Sequence, residues 1–596
     1  MAFIIWHLTL AKHWTIQPPF TDTAHLATAL GVHPVVAAVL GQRGYDTAET
    51  ARAFLKPDLT QLHPPEDLPG LDEAADRLVA AARDREPVVI YGDYDVDGIT
   101  AAAILWKALR LADANVRIYV PHRIEEGYGL NLEAIERLAE EGARVLVTVD
   151  CGIGGRAEVA RARDLGLDVI VTDHHEPDPD RLPPALAIVN PKLPESSYPF
   201  RDLAGAGVAM KLAWALGKRL SGRQRVDEAF REFLIAATGL AALGTIADVV
   251  PLVGENHALA RFGLEALSAS RHPGIAALRE VGRLQGKAID AYHIGYVIGP
   301  RLNAAGRLGH AGEAVDLLTT AGPDAAMDIA RNLDRQNRRR REIEQHILEE
   351  ADAQVADTFD PDRDAAIVAA GQGWHTGVIG IVASRIVEKY HRPTVLIGID
   401  DDGAQGSGRS IPGFHLFRAL SACREHLTTF GGHAMAAGLR LPAGAVDAFR
   451  EALRAHAAET LTPDDLTPRL KVDAEVDPTH ITLETARVLD DLGPFGAGNP
   501  RPVFAVRQID VVGSPKRIGR RGAHLAMHVT RGGRARRCVG WRMGDLADAV
   551  GRAGSCGMAF TCRVSTFRPS RPEVELHLKD LWIGAYGDDA AAREYA

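Results

Sequence analysis

The stretch VVIYGDYDVDGITAA (residues 88–102) sets three carboxylates, Asp93, Asp95 and Asp97, at alternate positions directly after an apolar run. Alternate residues of an extended chain project to the same side, so the three charges crowd together at the end of a buried strand. At an effective dielectric of about 20, each close pair repels by roughly 2–4 kcal/mol. Such a cluster persists only where something offsets the repulsion.

The same pattern recurs downstream. GITAAAILWKALRLA (98–112) carries apolar residues at helical spacing, and ARVLVTVD (143–150) is a second apolar strand ending in an acid, Asp150. GGRAEVARARDLG (154–166) reads as a helix, and LDVIVTDHH (167–175) as a third strand, ending in Asp173, His174 and His175. Continuous Val/Ile runs alternating with helices predict a parallel sheet covered on both faces. Polar groups at the carboxyl ends of such strands stand where open α/β sheets bind ligands. GTIADVVPL (244–252) adds Asp248 in apolar helical surroundings, where an isolated charge is costly to bury. A pair of hard divalent cations, Mn²⁺ or Mg²⁺, neutralises such a set, with one Asp bridging and an imidazole completing the site. A helix cap explains a single strand-end Asp, but not the whole set at consecutive strand ends.

The 596 residues suffice for three or four domains, and 46% apolar with 24% charged residues is ordinary for a globular protein. The five cysteines (Cys151, Cys423, Cys538, Cys556, Cys562) are scattered without a CxxC pair, which suits a reducing compartment and argues against a zinc ribbon. The opening MAFIIWHLTLAKHW lacks a basic start, and His and Lys interrupt its apolar run, so it is not read as a signal peptide. With no apolar run near the length of a membrane span, the expected location is the cytoplasm, with no membrane association. The formal net charge of −10 does not advertise a nucleic-acid binder, but RNLDRQNRRRR (331–341), KRIGRR (516–521) and RGGRARR (531–537) are local basic patches that can hold a polyanion.

Beyond a helical region from about 201 to 350, a second α/β unit begins at AAIVAAGQGWHTGVIGIVASRIVEKY (365–390) and ends in a helix over 442–463. Its GSGRS (406–410) and FGGHAMAAGL (430–439) stretches read as Gly-rich turns whose amides could converge on a phosphate. His375, in GWHTGVIG, is read as structural. The Pro/Asp-rich segment 463–480 reads as a linker. After DLGPFGAGNPRPVF, five short alternating segments in about 85 residues suit a small barrel of the oligonucleotide-binding (OB) type.

GDYDVDG, VTVDCG, VTDHHEP and GTIADVVPL, in this order, resemble the four motifs of the DHH phosphoesterase superfamily. With the GGHAMAAGL stretch and the terminal barrel, the arrangement resembles the bacterial single-strand-specific DNA exonucleases within it. The resemblance implies an N-terminal extension (1–75), a DHH catalytic domain (76–315), a connector helix (316–355), a DHH-associated substrate-binding α/β domain (356–462) and an OB-fold domain (470–585). It implies Asp95, Asp97, Asp150, His174 and Asp248 as ligands of two divalent ions, with Asp150 bridging and Asp93 a ligand or near-ligand. His175 would face the substrate phosphate and Asp173 would orient the imidazoles.

For the DNA phosphates it points to Ser407, Arg409, Ser410, Gly432 and His433, and more loosely to Arg301, Asn303, Arg307, Arg331, Arg335 and Arg338. The implied activity is two-metal hydrolysis of single-stranded DNA from the 5′ end to mononucleotides, in repair and recombination. The implied partners are single-stranded DNA, a single-strand-binding protein and a helicase, and the expected state is a monomer. Two other readings stand beside it. One is a phosphodiesterase for short oligoribonucleotides or cyclic dinucleotides, and the other is a non-catalytic DNA-bound scaffold.

Overall fold

The computed structural model describes residues 12–122, 126–127, 129–222, 225–309, 311–401, 403–565 and 572–584. Most of the signal-like opening lies outside them. The chain divides into two compact units, one of residues 53–340 with 493–500 and the other of the remainder.

The first unit is built on a five-stranded parallel sheet in the order Val116–Tyr119, Val88–Gly92, Val145–Val149, Asp168–Thr172, Ala187–Val189. The Val88–Gly92 and Val145–Val149 strands are buried along their whole length. Their period-2 alternation sends Val88, Ile90, Val145 and Val147 into one core and Val89, Tyr91 and Leu146 into another. The helices Val96–Leu111, Gly205–Ser221 and Glu228–Ala247 supply the first core, and Leu132–Glu140 and Arg156–Asp164 supply the second. The two edge strands went unforeseen because VRIY and AIV are short, and Val116–Tyr119 is half exposed.

Register decides where the site falls. Gly92, Val149, Thr172 and Val189 stand in one row across neighbouring strands. The residues that follow, Asp93, Asp150, Asp173 and Asn190, therefore leave the sheet side by side. Glu228–Ala247 is, among the described residues, the one unbroken helix long and apolar enough to cross a membrane, a length the sequence reading did not register. More than half of its most apolar stretch is buried, against Val96–Leu111 and Gly254–Ala269.

In the second unit a mixed sheet runs Thr429–Gly432, Ala436–Leu441, Gly403–Arg409, Thr394–Asp400, Ile367–Gln372. The five expected barrel strands are present as Phe504–Ile518, His524–Thr530, Arg536–Gly540, Ser555–Ser565 and Glu573–Ile583, and pairing of the first with the fourth closes the barrel. A 36-residue helix, Pro323–Thr358, runs from one unit into the other.

Two expectations change here. The 463–480 segment is not a bare linker: Arg469–Val472 pairs in parallel with His13–Ile16, and Ala474–Glu475 pairs with the first barrel strand. The 1–75 stretch is likewise not one extension, since it is split between the units at residue 52. Neither pairing has a local signal, because each depends on chain far away in sequence.

Candidate metal centre

The GDYDVDG loop turns directly from strand into helix. Asp95 is the N-cap of Val96–Leu111, its Oδ1 accepting from Asp97 N (2.8 Å) and Gly98 N (3.1 Å). Asp95 thus caps a helix and joins the carboxylate cluster at once. Gly98 lies against the Asp93 backbone, where a Cβ would stand 2.5 Å from the Asp93 carbonyl oxygen. The Asp97 carboxylate sits on the first amides of the Gly205–Ser221 helix, accepting from Gly205 N (2.6 Å) and Ala206 N (2.9 Å). These helix-start donors, which sequence reasoning missed, favour a negative charge there. Gly244 makes room on the other side, since a Cβ there would collide with Asp97 and Thr100.

Asp150 leaves its strand at φ +62°, a left-handed conformation that Asp tolerates better than most residues. Its Oδ1 lies 3.0 Å from His174 Nε2, yet neither buried atom has a hydrogen-bond partner among the described residues. His174 Nε2 also stands 3.6 Å from Asp248 Oδ2 and 3.8 Å from Asp97 Oδ2. Ligand atoms of Asp93, Asp95 and Asp150 lie within 4.8 Å of one another, as do those of Asp97, His174 and Asp248, and of Asp150, His174 and His175. All six ligands expected from the sequence are therefore brought together, with Asp150 and His174 linking the groups.

Burial, then the neighbouring Asp248 and Asp95, hold the Asp97 carboxyl well above the usual carboxylate range. Asp150 is raised likewise by burial and by Asp97, Asp95, Asp93 and Asp248. Burial and Asp95 push Asp248 up to about 7. Burial and the nearby His175 lower His174 to about 4, leaving a neutral imidazole. The cluster is electrostatically overloaded, largely buried and rich in hard oxygen donors, with orphaned atoms at its centre. These residues fit a pair of divalent cations.

Asp173 has a different task. Its Oδ1 accepts from the backbone of His174 (2.7 Å) and His175 (3.1 Å), and its Oδ2 from Ile153 N (2.9 Å). It also holds His175 Nδ1 at 2.7 Å. Although burial disfavours its charge, the His175 ring and the backbone donors lower Asp173. In turn Asp173 raises His175 to about 9 against the effect of burial, so that ring is cationic near neutral pH. Asn190, also unforeseen, donates from Nδ2 to the His175 carbonyl at 2.9 Å.

The proposed DNA-contacting residues fare unevenly. Asn303 turns inward, its Oδ1 accepting from Val96 N at 3.1 Å, so it braces the Asp loop. Arg301 is largely buried and ties its helix to Asp334, Nη2 to Oδ1 at 2.8 Å, rather than facing solvent. Arg307 lies in the same Gly299–Leu308 helix, half-buried. Arg331, Arg335 and Arg338 are exposed, with Asp328, Asn332 and Asp334 as neighbours. His375 caps the Thr376–Tyr390 helix, accepting from Gly377 N.

The GSGRS stretch is not a turn. It lies in the strand Gly403–Arg409, hydrogen-bonded on both sides, so its amides are not free to converge on a phosphate. Its glycines serve packing, since a Cβ on Gly408 would stand 2.8 Å from Leu416 Cδ2. Ser407 and Arg409 do come together, Arg409 Nη1 donating to Ser407 Oγ at 3.2 Å, while Gly432 and His433 lie at the hairpin beside them.

Ser410 is buried, its hydroxyl donating to the Phe414 carbonyl at 2.7 Å. Ser410→Ala is expected to lose about 1 kcal/mol of stability in a denaturant titration and to keep its turnover. Lost turnover at unchanged stability would return Ser410 to the substrate.

Family models match three segments of the chain: the DHH family N-terminal domain over 87–240, the DHHA1 domain over 363–459 and the RecJ OB domain over 472–580. The single-stranded-DNA-specific exonuclease RecJ of Bacillus subtilis (strain 168) is 39% identical over 97% of this chain and 72% of its own. The chain belongs to the RecJ family. RecJ of Escherichia coli (strain K12) is 38% identical over 81% of this chain and 84% of its own. A crystal structure of RecJ from Thermus thermophilus in complex with Mn²⁺ superposes with a TM-score of 0.80 at 32% identity, covering 96% of this chain and 79% of that one. A second RecJ structure from that organism, with Mg²⁺, gives 0.76 at 30% identity over 96% and 78%.

Proposed function

We propose that this RecJ-family chain is a divalent-metal-dependent exonuclease that degrades single-stranded DNA from the 5′ end to mononucleotides, in DNA repair and recombination. The observation that carries the reading is the intact six-ligand cluster at the carboxyl edge of the sheet, in a chain whose relatives are named single-stranded-DNA-specific exonucleases. Asp93, Asp95 and Asp150 would hold one ion, Asp97, His174 and Asp248 the other, with Asp150 shared. When bound, Mn²⁺ or Mg²⁺ supplies Lewis-acid activation of water and of the phosphoryl group.

The protein's own groups do the rest. The helix-start amides fix Asp97, Asn303 fixes the loop beneath it, and Asp173 holds His175 protonated where it can meet phosphate charge or give a proton to the leaving oxygen. Ser407, Arg409 and His433, with the barrel, are proposed to grip the strand by its phosphates. Domains are proposed at the boundaries read from the sequence, with the two adjustments noted above. A single-strand-binding protein and a helicase are proposed partners of a monomeric, cytoplasmic enzyme.

The test is an internally quenched single-stranded DNA with its 5′ end free or blocked, incubated with the protein and Mn²⁺. Mononucleotides are expected from the free end alone. Hydrolysis of short oligoribonucleotides without attack on long DNA would put a small phosphodiesterase in its place, and tight binding without cleavage would put a scaffold there.

A further inference from the structure

Asp248 is the one expected ligand that does not follow a strand of the sheet. It ends the Glu228–Ala247 helix, its amide bonded to the Gly244 carbonyl at 2.9 Å, and the chain then reverses through Val249 at φ +64°. A β-branched residue in this left-handed region costs roughly 1–2 kcal/mol. Val249 recovers little by packing, since it is 68% exposed. Such a turn persists only where its surroundings over-determine it.

The over-determination comes from a distant part of the chain. Residues 493–500 are contiguous in sequence with the second unit on both sides, yet belong to the first. They fold on themselves through a bridge between Gly496 and Asn499, and the buried Asn499 donates from Nδ2 to the Pro494 carbonyl at 3.0 Å. This small hairpin is laid on the residues after Asp248. Leu252 N donates to the Ala497 carbonyl at 2.7 Å, and Arg261 Nη1 to the Gly493 carbonyl at 3.2 Å. Packing is close at two glycines, and at Gly498 both the backbone and the neighbouring ring call for one. A Cβ on Gly496 would stand 2.8 Å from Leu252 Cδ1, and one on Gly498, itself at φ +68°, would stand 2.8 Å from Pro251 Cβ.

From the other side, fully buried Asn256 donates to the Pro251 carbonyl (3.0 Å) and to the Asp202 carbonyl (2.5 Å), just before the helix start that cradles Asp97. The Asp248 turn is thus held between the 493–500 hairpin and a buried amide that also holds the approach to Asp97.

We propose that residues 493–500 are a positioning element of the metal centre, clamping Pro251–Leu252 so that Asp248 completes the group with Asp97 and His174. The inference rests on the metal-dependent reading above. It makes Gly496, Gly498 and Asn499 positioning residues, although they lie some 250 positions from the ligand they serve.

The experiment is a Mn²⁺ titration of the full chain, read by the electron paramagnetic resonance of free Mn²⁺, alongside thermal melting. Gly498→Ala is compared with Gly554→Ala, which puts the same side chain at the same φ of +68° but with nothing within 4 Å of the new Cβ. Gly498→Ala is expected to weaken binding of one ion by about tenfold, the scale of losing a group that orients a ligand, while Gly554→Ala binds as the unchanged protein does. Adding Val249→Gly, which relaxes the turn, should restore part of the affinity to Gly498→Ala. Asn499→Ala should move affinity in the same direction, and it carries the test if Gly498→Ala does not fold.

Equal Mn²⁺ affinity in Gly498→Ala, Asn499→Ala and Gly554→Ala, whatever their melting temperatures, would overturn the clamp and leave the metal reading intact. If the unchanged protein binds no Mn²⁺, the metal reading falls and takes the clamp with it.

Discussion

Asp150→Asn should fold, melt at a higher temperature than the unchanged protein when both are free of metal, and hydrolyse single-stranded DNA slower by on the order of a thousandfold, the scale of removing one preorganised electrostatic element from a reaction centre. Each part has a separate cause. Asn tolerates the left-handed backbone that position 150 adopts at φ +62°, so the substitution avoids the strain that Ala would add. Asp150 is buried among four other carboxylates that raise its carboxyl, so deleting its charge relieves repulsion in the metal-free state. The same substitution turns the charged carboxylate common to two of the three ligand groups into a neutral amide, a far weaker donor to a divalent ion. Melting curves with chelator and rates at saturating Mn²⁺ separate the effects. A lower metal-free melting temperature, or retained hydrolysis, would show that Asp150 is not at the centre of the cluster.

The second large effect is a reversal of the pH dependence of stability by metal. A carboxyl raised in the folded state binds its proton more tightly there than in the unfolded chain. Its contribution to stability is therefore complete below the unfolded value near 3.8 and is lost as pH rises through the folded one, about 7 for Asp248. Metal-free protein should thus lose stability relative to an Asp248→Asn variant between about pH 4 and pH 8. With excess Mn²⁺ the order should invert above pH 7, because the ion needs the ionised carboxylate and binds only the folded chain. For the unit that holds the site, residues 53–340 with 493–500, the shift amounts to about 1–2 °C per kcal/mol. Parallel pH profiles for the two proteins without metal would mean that Asp248 is not held in its raised state.

What was legible in the sequence follows from which interactions are local. The central strands could be read because Val88–Gly92 and Val145–Val149 are buried throughout and so are apolar throughout. Register then turned that legibility into a site, since residues that follow strands in one row must come together. Where glycine served a neighbour, the reading failed: GSGRS looked like a turn, but Gly408 is there to admit Leu416. Polar residues are hard to read for a related reason. Arg301, Asn303 and Ser410 have the chemistry of phosphate ligands, but each is committed to a protein partner, Asp334, Val96 and Phe414, that sequence spacing does not disclose. The amides under Asp97 left no trace because every residue but proline has one.

The pairing of His13–Ile16 with Arg469–Val472 has a consequence for the order in which the chain matures. During synthesis the first strand waits for a partner made more than 450 residues later, a delay of about 25–90 s at ~5–20 residues per second. The core of the unit that begins at residue 53 is complete well before then. The unit containing both sides of that pairing cannot close until its barrel strands, out to Glu573–Ile583, have been made, and the 493–500 hairpin itself follows Arg469–Val472. A nascent chain therefore passes through a long interval in which the sheet of the metal centre exists while the piece that holds Asp248 has not yet been made.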